Sequence, residues 1–516
     1  MRKLDIFKNV SASWLSLGVN ILVGIFLSPF ILHRLGNLAY GAWVLVFSVT
    51  GYYGLFDLGI RSSIIRYVSA YAANEDMEAL DRLINTGLAA YGAIGALTML
   101  FTLAVSLNVK FLFRIPPDFV ITARWLFLMV GTAVALGFPA GIFSGILEGL
   151  SRFYITNLTN LVSTLFRAVL IVIALTRGRG LLTVAVITVA LPLLEAAIRA
   201  VIALRLLPLR FGWRYVDRNT IREIARYSGV SLVIMVAYQL RFKTDEIVIS
   251  TFLSVSAVTF FSIASRLVEY TGYVVTDLAQ VFLPMSGQCD AKGEWDQLRR
   301  IFILGNRACA LLVFPIAATL IILGKSVITA WVGAKYVKVC YPVMLTLLIP
   351  STFFLAQSAS PRILFGMARH RVLAWITSME GIANVILSII LVRQYGVIGD
   401  ALGTAIPLSC TAFYFYPRYM SRLLSVPLGT FLRQAYLIPI LLTVPTVISL
   451  LLIRRWFFAH SYLQVIIQIL LGLAPYGVGL AWAIATKRIW QWSDFLPKLE
   501  TKEATTAMLE TYQEVQ

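Results

Sequence analysis

Apolar runs dominate this chain, and they recur at nearly regular intervals with short polar segments between them. The first extends from Val10 to Leu32. Others, each about 18 residues or longer, begin near Leu38, Asn85, Trp125, Phe153, Leu181, Tyr227, Val258, Ile303, Tyr341, Val372, Val397, Phe431 and Tyr462. As helices, such runs cross roughly 30 Å of hydrocarbon, so the pattern predicts about fourteen transmembrane helices. The run Val10 to Leu32 is too long for a signal-peptide core and lacks a small-x-small cleavage site, so it reads as an uncleaved first span. The longest polar segments are 61–84, 205–226, 286–302 and a Glu- and Thr-rich tail from Lys487. None has room for a soluble catalytic domain.

The chain also repeats itself. Ile146-Leu147-Glu148-Gly149-Leu150-Ser151-Arg152 returns 217 positions later as Ile363-Leu364-Phe365-Gly366-Met367-Ala368-Arg369, each in a loop that leaves one span and enters the next. Leu191-Pro192-Leu193 returns as Ile406-Pro407-Leu408, and Leu35 to Phe47 aligns weakly with Leu253 to Ser265. Apolar segments resemble one another by chance, but a Gly and an Arg kept at fixed spacing favour duplication. An even number of spans per copy makes the copies parallel, related by an axis along the membrane normal. The expected fold is an all-α polytopic membrane protein: two six-helix lobes, residues 1–205 and 227–417, and two further helices within 418–486. A basic cytoplasmic linker, 206–226, joins the lobes, and a cytoplasmic tail covers 487–516.

In that linker Arg210, Arg214, Arg218, Arg222 and Arg226 recur every four residues around Trp213. The stripe can lie on the inner membrane surface against anionic headgroups, or serve only to set topology. Gly137, Gly141, Gly145 and Gly149 clear one helix face for close approach of a neighbouring backbone.

Composition agrees with the pattern: 59% of residues are hydrophobic and 13% charged. The net charge of +19 would suit nucleic acid, but the 44 Lys and Arg are spread over many loops. With a cytoplasmic amino terminus most of them fall inside, as the positive-inside rule demands, so topology explains the charge and nucleic acid is excluded. Cys289, Cys309, Cys340 and Cys410 show no C-x-x-C spacing, and His33, His370 and His460 are scattered. Neither a disulfide framework, a metal cluster nor a cofactor is expected.

Ionisable groups at bilayer depth cost several kcal/mol and so normally face protein or a wet cavity. Span seven carries Arg241, Lys243, Asp245 and Glu246, with Arg241 and Asp245 one turn apart. Span eight aligns Arg266, Glu269, Tyr270, Tyr273 and Asp277; span six holds Glu195 and Arg199. Thr156, Asn160, Ser163 and Arg167 share a face of span five, as Glu380, Asn384 and Ser388 do in span eleven. One such pair is commonly structural glue, but several stripes imply a hydrated, net-positive central cavity. Arg167, Arg199, Arg241, Lys243, Arg266 and Arg307 are candidates to hold a phosphate or pyrophosphate. Asn160, Tyr270 and Tyr273 are candidates for glycan contact. Asp57, Glu195, Asp245, Glu246, Glu269, Asp277 and Glu380 are candidates to couple transport to a proton or sodium ion, and any of them can instead simply neutralise an arginine.

Several short motifs occur in a telling order: Leu38-Ala39-Tyr40-Gly41-Ala42-Trp43, Phe56-Asp57-Leu58-Gly59-Ile60, the Glu148 to Arg152 turn with Asn157 and Asn160, and Asp245-Glu246-Ile247-Val248-Ile249. Over about residues 1–420 the chain resembles the bacterial polysaccharide and O-antigen flippases of the multidrug/oligosaccharidyl-lipid/polysaccharide flippase superfamily. The resemblance implies two six-helix lobes around a cation-lined lumen in the bacterial cytoplasmic (inner) membrane. It implies that an undecaprenyl-pyrophosphate-linked oligosaccharide moves from the cytoplasmic to the periplasmic leaflet by alternating access. Membrane lipids and polysaccharide-assembly proteins such as a polymerase are the implied partners. A lipid II flippase and a cation-coupled drug antiporter remain open alternatives, although the first span has no Arg between Lys8 and Arg34 and the cationic bias is unlike an acid-lined drug site. An enzyme acting on the same glycolipid fits poorly, because outer loops such as Ser250 to Val255 and Arg393 to Gly396 are short.

Overall fold

The computed structural model describes residues 3–57, 60–217, 220, 236, 239–240, 243–456 and 461–486. They form helices joined by tight turns, with no strand among the described residues. Among the described residues, ten helices are long and apolar enough to cross a membrane. Two of these runs contain a break: Lys3–Gly51 at Gly36, φ 80°, and His370–Cys410 at Gly396, φ 61°. Glycine reaches this left-handed region without a steric penalty, so each run carries two consecutive predicted spans. Val255–Ala279 is also long enough at 25 residues, though Arg266, Glu269 and Asp277 lower its hydropathy. Predicted span seven lies mostly outside the described residues and resumes as the helix Asp245–Phe252. The all-helical membrane architecture holds, and about fourteen spans is consistent with these helices.

The repeat read from the sequence has a structural counterpart in its turns. The helix Val120–Gly149 ends with Ser151 at φ 60°, and the Arg152 amide donates to the Leu147 carbonyl at 2.8 Å. The helix Ala359–Gly366 ends with Ala368 at φ 54°, and the Arg369 amide donates to the Leu364 carbonyl, again at 2.8 Å. Both are helix ends closed by a left-handed residue and a reversed bond to a last-turn carbonyl. The same closure ends other helices, at Glu75, Gly178, Gly293 and Ser425, so the matched turns agree with duplication without demonstrating it.

Two compact units emerge from the contacts. One comprises Met1–Tyr270, Ile328–Leu347 and Ala374–Pro407; the other comprises Thr271–Val327, Leu348–Leu373 and Leu408–Gln516. The first unit has one apolar core around Leu45, Val49, Leu126, Phe127 and Ala185. A second core, around Ile64, Leu83, Ile84, Ile142 and Ile146, seats the helix Ile60–Ala73. In the second unit Phe302 stacks on Phe431, and the Tyr476 hydroxyl donates to the Leu311 carbonyl at 2.5 Å, which fastens both carboxyl-terminal helices to Trp295–Trp331.

The glycine ladder closes over only half its length. A methyl on Gly149 would stand 2.9 Å from the Ile65 carbonyl oxygen, and one on Gly145 3.0 Å from Ile64, whereas Gly137 and Gly141 face open space. Packing against Ile60–Ala73 explains the first pair. No contact explains the second. The linker also departs from a continuous helical stripe: residues 207–212 are irregular, and Trp213–Tyr215 forms a single 3-10 turn. Pro208 and Gly212 disfavour helix there, while Arg218, Arg222 and Arg226 lie outside the described residues.

Candidate functional site

Asp245 sits at the start of its helix, buried, and the Thr404 hydroxyl lies 3.1 Å from each of its carboxylate oxygens. Asn384 donates to Thr404 Oγ1 at 3.0 Å, and Ser388 donates to Asn384 Oδ1 and to the Asp400 carbonyl, both at 3.3 Å. Asp400 is fully buried, and neither of its carboxylate oxygens has a hydrogen-bond partner among the described residues. Its charge interacts with those of Asp245 and Glu246. Three buried carboxylates of the first unit thus lie within electrostatic reach of one another. Among the described residues, no three His, Cys, Asp or Glu side chains are grouped to hold a metal ion by themselves.

Cations adjoin this acidic group. Glu246, also buried, interacts electrostatically with Lys243, Arg266 and Glu269. Arg266 in turn faces Tyr40, Glu269 and Tyr270, with a side-chain hydrogen bond to Tyr270, and its Nε has no hydrogen-bond partner among the described residues. A methyl on Gly24 would stand 2.7 Å from the Tyr270 hydroxyl, so the first helix passes directly over that ring. Spans seven and eight therefore bring Lys243, Asp245, Glu246, Arg266, Glu269 and Tyr270 into one electrostatic neighbourhood. Arg241 lies outside the described residues.

A second polar cluster joins spans four, five and six. Arg199 makes an ion pair with Glu195 and donates to Thr159 Oγ1 at 2.8 Å, Ser144 Oγ at 3.2 Å and the Thr156 carbonyl at 2.7 Å. That guanidinium is fully engaged with three helices, which is the behaviour of a structural tie. Arg167 lies within electrostatic reach of Glu195. Asn160 accepts from Ser16 and Asn20 at 3.3 Å each, and Thr164 donates to Asn20 Oδ1 at 3.2 Å, so the first helix joins the network.

Other candidates fall elsewhere. Arg307 Nε donates to the Gln434 carbonyl at 2.8 Å, binding the helix Leu428–Trp456. Tyr273 is 45% exposed, and Asp277 faces Arg362, both in the second unit. Asp57 accepts from the Tyr91 hydroxyl. Glu380 is buried in the first unit.

At the Gly36 end of the first unit, residues that the repeat assigns to opposite halves are clasped together. Thr259 donates to the Asn37 carbonyl at 2.7 Å and Tyr336 to Asn37 Oδ1 at 2.5 Å. The Arg114 amide donates to the Ser250 carbonyl at 3.0 Å, Thr251 donates to the Leu112 carbonyl at 3.2 Å, and Gly41 packs directly on the Val255 carbonyl.

A family model described as polysaccharide biosynthesis protein matches residues 35–341. The chain belongs to that family. It is 22% identical over 435 residues to the uncharacterised membrane protein EpsK of Bacillus subtilis, covering 82% of this chain and 85% of EpsK. It is 21% identical over 422 residues to a Shigella flexneri protein provisionally named an O-antigen transporter, covering 78% and 95%. Among solved structures it is similar to the lipid II flippase MurJ in an inward closed conformation, with TM-score 0.70, 16% identity and coverage of 93% and 99%. An inward-facing multidrug resistance transporter of the MATE family gives TM-score 0.68 at 14% identity, covering 81% and 98%. The fold of this polysaccharide biosynthesis family member is therefore that of the multidrug/oligosaccharidyl-lipid/polysaccharide superfamily, as its motifs implied.

Three members of the polar clusters escape a sequence reading. Asp400 has no charged residue one turn away to mark it, and it follows the Gly396 break, where a loop was expected. Thr404 is a lone hydroxyl in an apolar run. Asn20, the one amide in the first span, was a signal that charge-based reasoning passed over.

Proposed function

We propose that this chain is a flippase that carries an undecaprenyl-pyrophosphate-linked oligosaccharide from the cytoplasmic to the periplasmic leaflet, coupled to a proton or sodium gradient. The observation that carries the reading is the electrostatic grouping of Lys243, Glu246, Arg266 and Glu269 with Asp245 and Asp400 in one helical unit of a polysaccharide biosynthesis family member. Arg266 and Lys243 offer positive charge to a pyrophosphate, with Arg able to make forked contacts and Lys a point charge. The acidic group offers a place for a cation to bind and leave, so binding of ion and headgroup can bias the same conformational equilibrium. With the amino terminus in the cytoplasm of a bacterial inner membrane, the Asn37 clasp lies at the outer side.

The test is leaflet-resolved transport. Purified protein in sealed vesicles should speed the movement of a fluorescent lipid-linked oligosaccharide to the leaflet reached by a membrane-impermeant quencher, with the glycolipid chemically unchanged. Unchanged leaflet distribution would overturn the proposal, and a covalently altered glycolipid would make the chain an enzyme. Lipid II and a small organic cation run in parallel separate the two transport alternatives.

A further inference from the structure

The segment after the helix Leu181–Leu206 is held by its backbone. Asp81 accepts from the Arg210 amide at 2.8 Å, Asn85 donates to the Arg210 carbonyl at 2.8 Å and accepts from the Gly212 amide at 2.9 Å, and Thr86 accepts from the Asp217 amide at 3.0 Å. All three side chains are buried on the helix Met77–Leu107, and Leu207 and Leu209 join the apolar core beneath. Buried polar groups are normally spent on one another or on water; here three in succession serve a loop. The loop is a strap pinned in place.

What the strap presents outward is specific. Arg210 and Arg214 are exposed, Phe211 is 50% exposed and Trp213 84% exposed. Arg214 is braced by the Tyr215 hydroxyl at 2.7 Å and by its ring, 4.8 Å away. Two open aromatic rings between two guanidinium groups, at the end of a membrane helix, match the headgroup layer: the rings sit in the interface and the guanidinium groups take phosphate. A loop that served topology alone would need the charges but not the exposed rings or the pinned backbone.

We propose that the strap Arg210–Arg214 is a binding surface for anionic phospholipid headgroups at the cytoplasmic face, built onto the first half of the chain and separate from the transport site. The surface makes no use of the intramembrane charges, so it stands whether or not the transported molecule has been named correctly.

The full-length protein in nanodiscs tests this by brominated-lipid quenching of Trp213, isolated as the difference between wild type and W213F. Brominated phosphatidylglycerol diluted in phosphatidylcholine should quench that component more than brominated phosphatidylcholine at the same fraction. The enrichment should fall roughly fivefold for each of R210Q and R214Q and survive in R210K. Because the pinning bonds use the Arg210 backbone, these variants leave the strap attached. Added inorganic phosphate should leave the quenching unchanged; competition by it would assign a soluble anion instead. Equal quenching by the two lipids, or a W213F difference insensitive to both, would overturn the proposal.

Discussion

Thr404 Oγ1 stands 3.1 Å from both carboxylate oxygens of Asp245, a contact made across 159 positions of sequence. One hydroxyl proton is shared between the two oxygens, and the Asn384 amide also bonds the carboxylate, so two neutral donors answer an acid that can accept about four hydrogen bonds. The Asp400 carboxylate, whose charge interacts with that of Asp245, has no hydrogen-bond partner among the described residues. Asp245→Asn and Asp400→Asn should each reduce the stimulation of transport by an ion gradient by about tenfold, while binding of the lipid-linked substrate changes little. Transport measured with and without an imposed gradient, beside substrate binding in detergent, checks this. Normal gradient dependence in both variants would leave the acidic group a structural element.

Arg199 and Arg266 are predicted to part ways although both are intramembrane arginines on polar stripes. Arg199→Ala leaves Glu195 buried without its ion pair and strips donors from Thr159, Ser144 and the Thr156 carbonyl, so it should cost about 3 kcal/mol or more of stability. Replacing Glu195 and Arg199 together with Gln and Met should cost markedly less, since no charge is stranded. Arg266→Ala also removes a cation from beside Glu246 and Glu269, so it too should cost some stability, but less than Arg199→Ala, and it should lose transport. Thermal unfolding in detergent alongside the vesicle assay distinguishes them; equal stability loss in the two alanine variants would refute the division.

Much of this was legible in residue order. Apolar run length and the Gly36 and Gly396 breaks follow from hydropathy and from glycine's backbone freedom, so the helical architecture reads directly. The two repeated motifs end their helices in the same way, at Ser151 and Ala368, which is a common helix closure and agrees with the repeat. Charge at helical spacing located Asp245, Glu246, Arg266 and Glu269, but periodicity along one helix says nothing of which residue of another helix will answer it. Hence Glu195 and Arg199 looked like a site and are knitted to neighbours, whereas Asp400 and Thr404 looked like nothing and complete the acidic group. The linker misled for a related reason: its four-residue Arg spacing suggests helix, yet the partners that hold it, Asp81, Asn85 and Thr86, lie far away in sequence.

The glycine ladder gives opposite signs within one helix. Gly149→Ala pushes a methyl against the Ile65 carbonyl and Val68, both 2.9 Å away, and should destabilise by about 1–3 kcal/mol. Gly141→Ala meets open space and replaces a poor helix former, so it should be neutral or stabilise by up to about 1 kcal/mol. Thermal unfolding of the two variants decides, and destabilisation by both would mean that the open half of the ladder closes on a partner in another conformation.

If the amino terminus is cytoplasmic, as proposed, the Asn37 clasp should set how readily the outer side opens. Asn37 receives Thr259 on its carbonyl and Tyr336 on its side chain, one atom each, and Tyr336 is buried with its ring over Phe260. Thr259→Val and Tyr336→Phe remove one hydrogen bond apiece and nearly conserve volume. At about 1 kcal/mol for each bond, the double variant should shift the closed-to-open ratio by roughly thirtyfold. A cysteine placed at Ser254, beside the Gly41 contact, should then react faster with a membrane-impermeant reagent added from outside, and the single variants should fall between. Because Arg114 and Ser250 are joined through backbone groups, that part of the closure persists and the double variant should still be able to shut. Unaltered labelling in the double variant would show that the clasp reports a closed state without holding it.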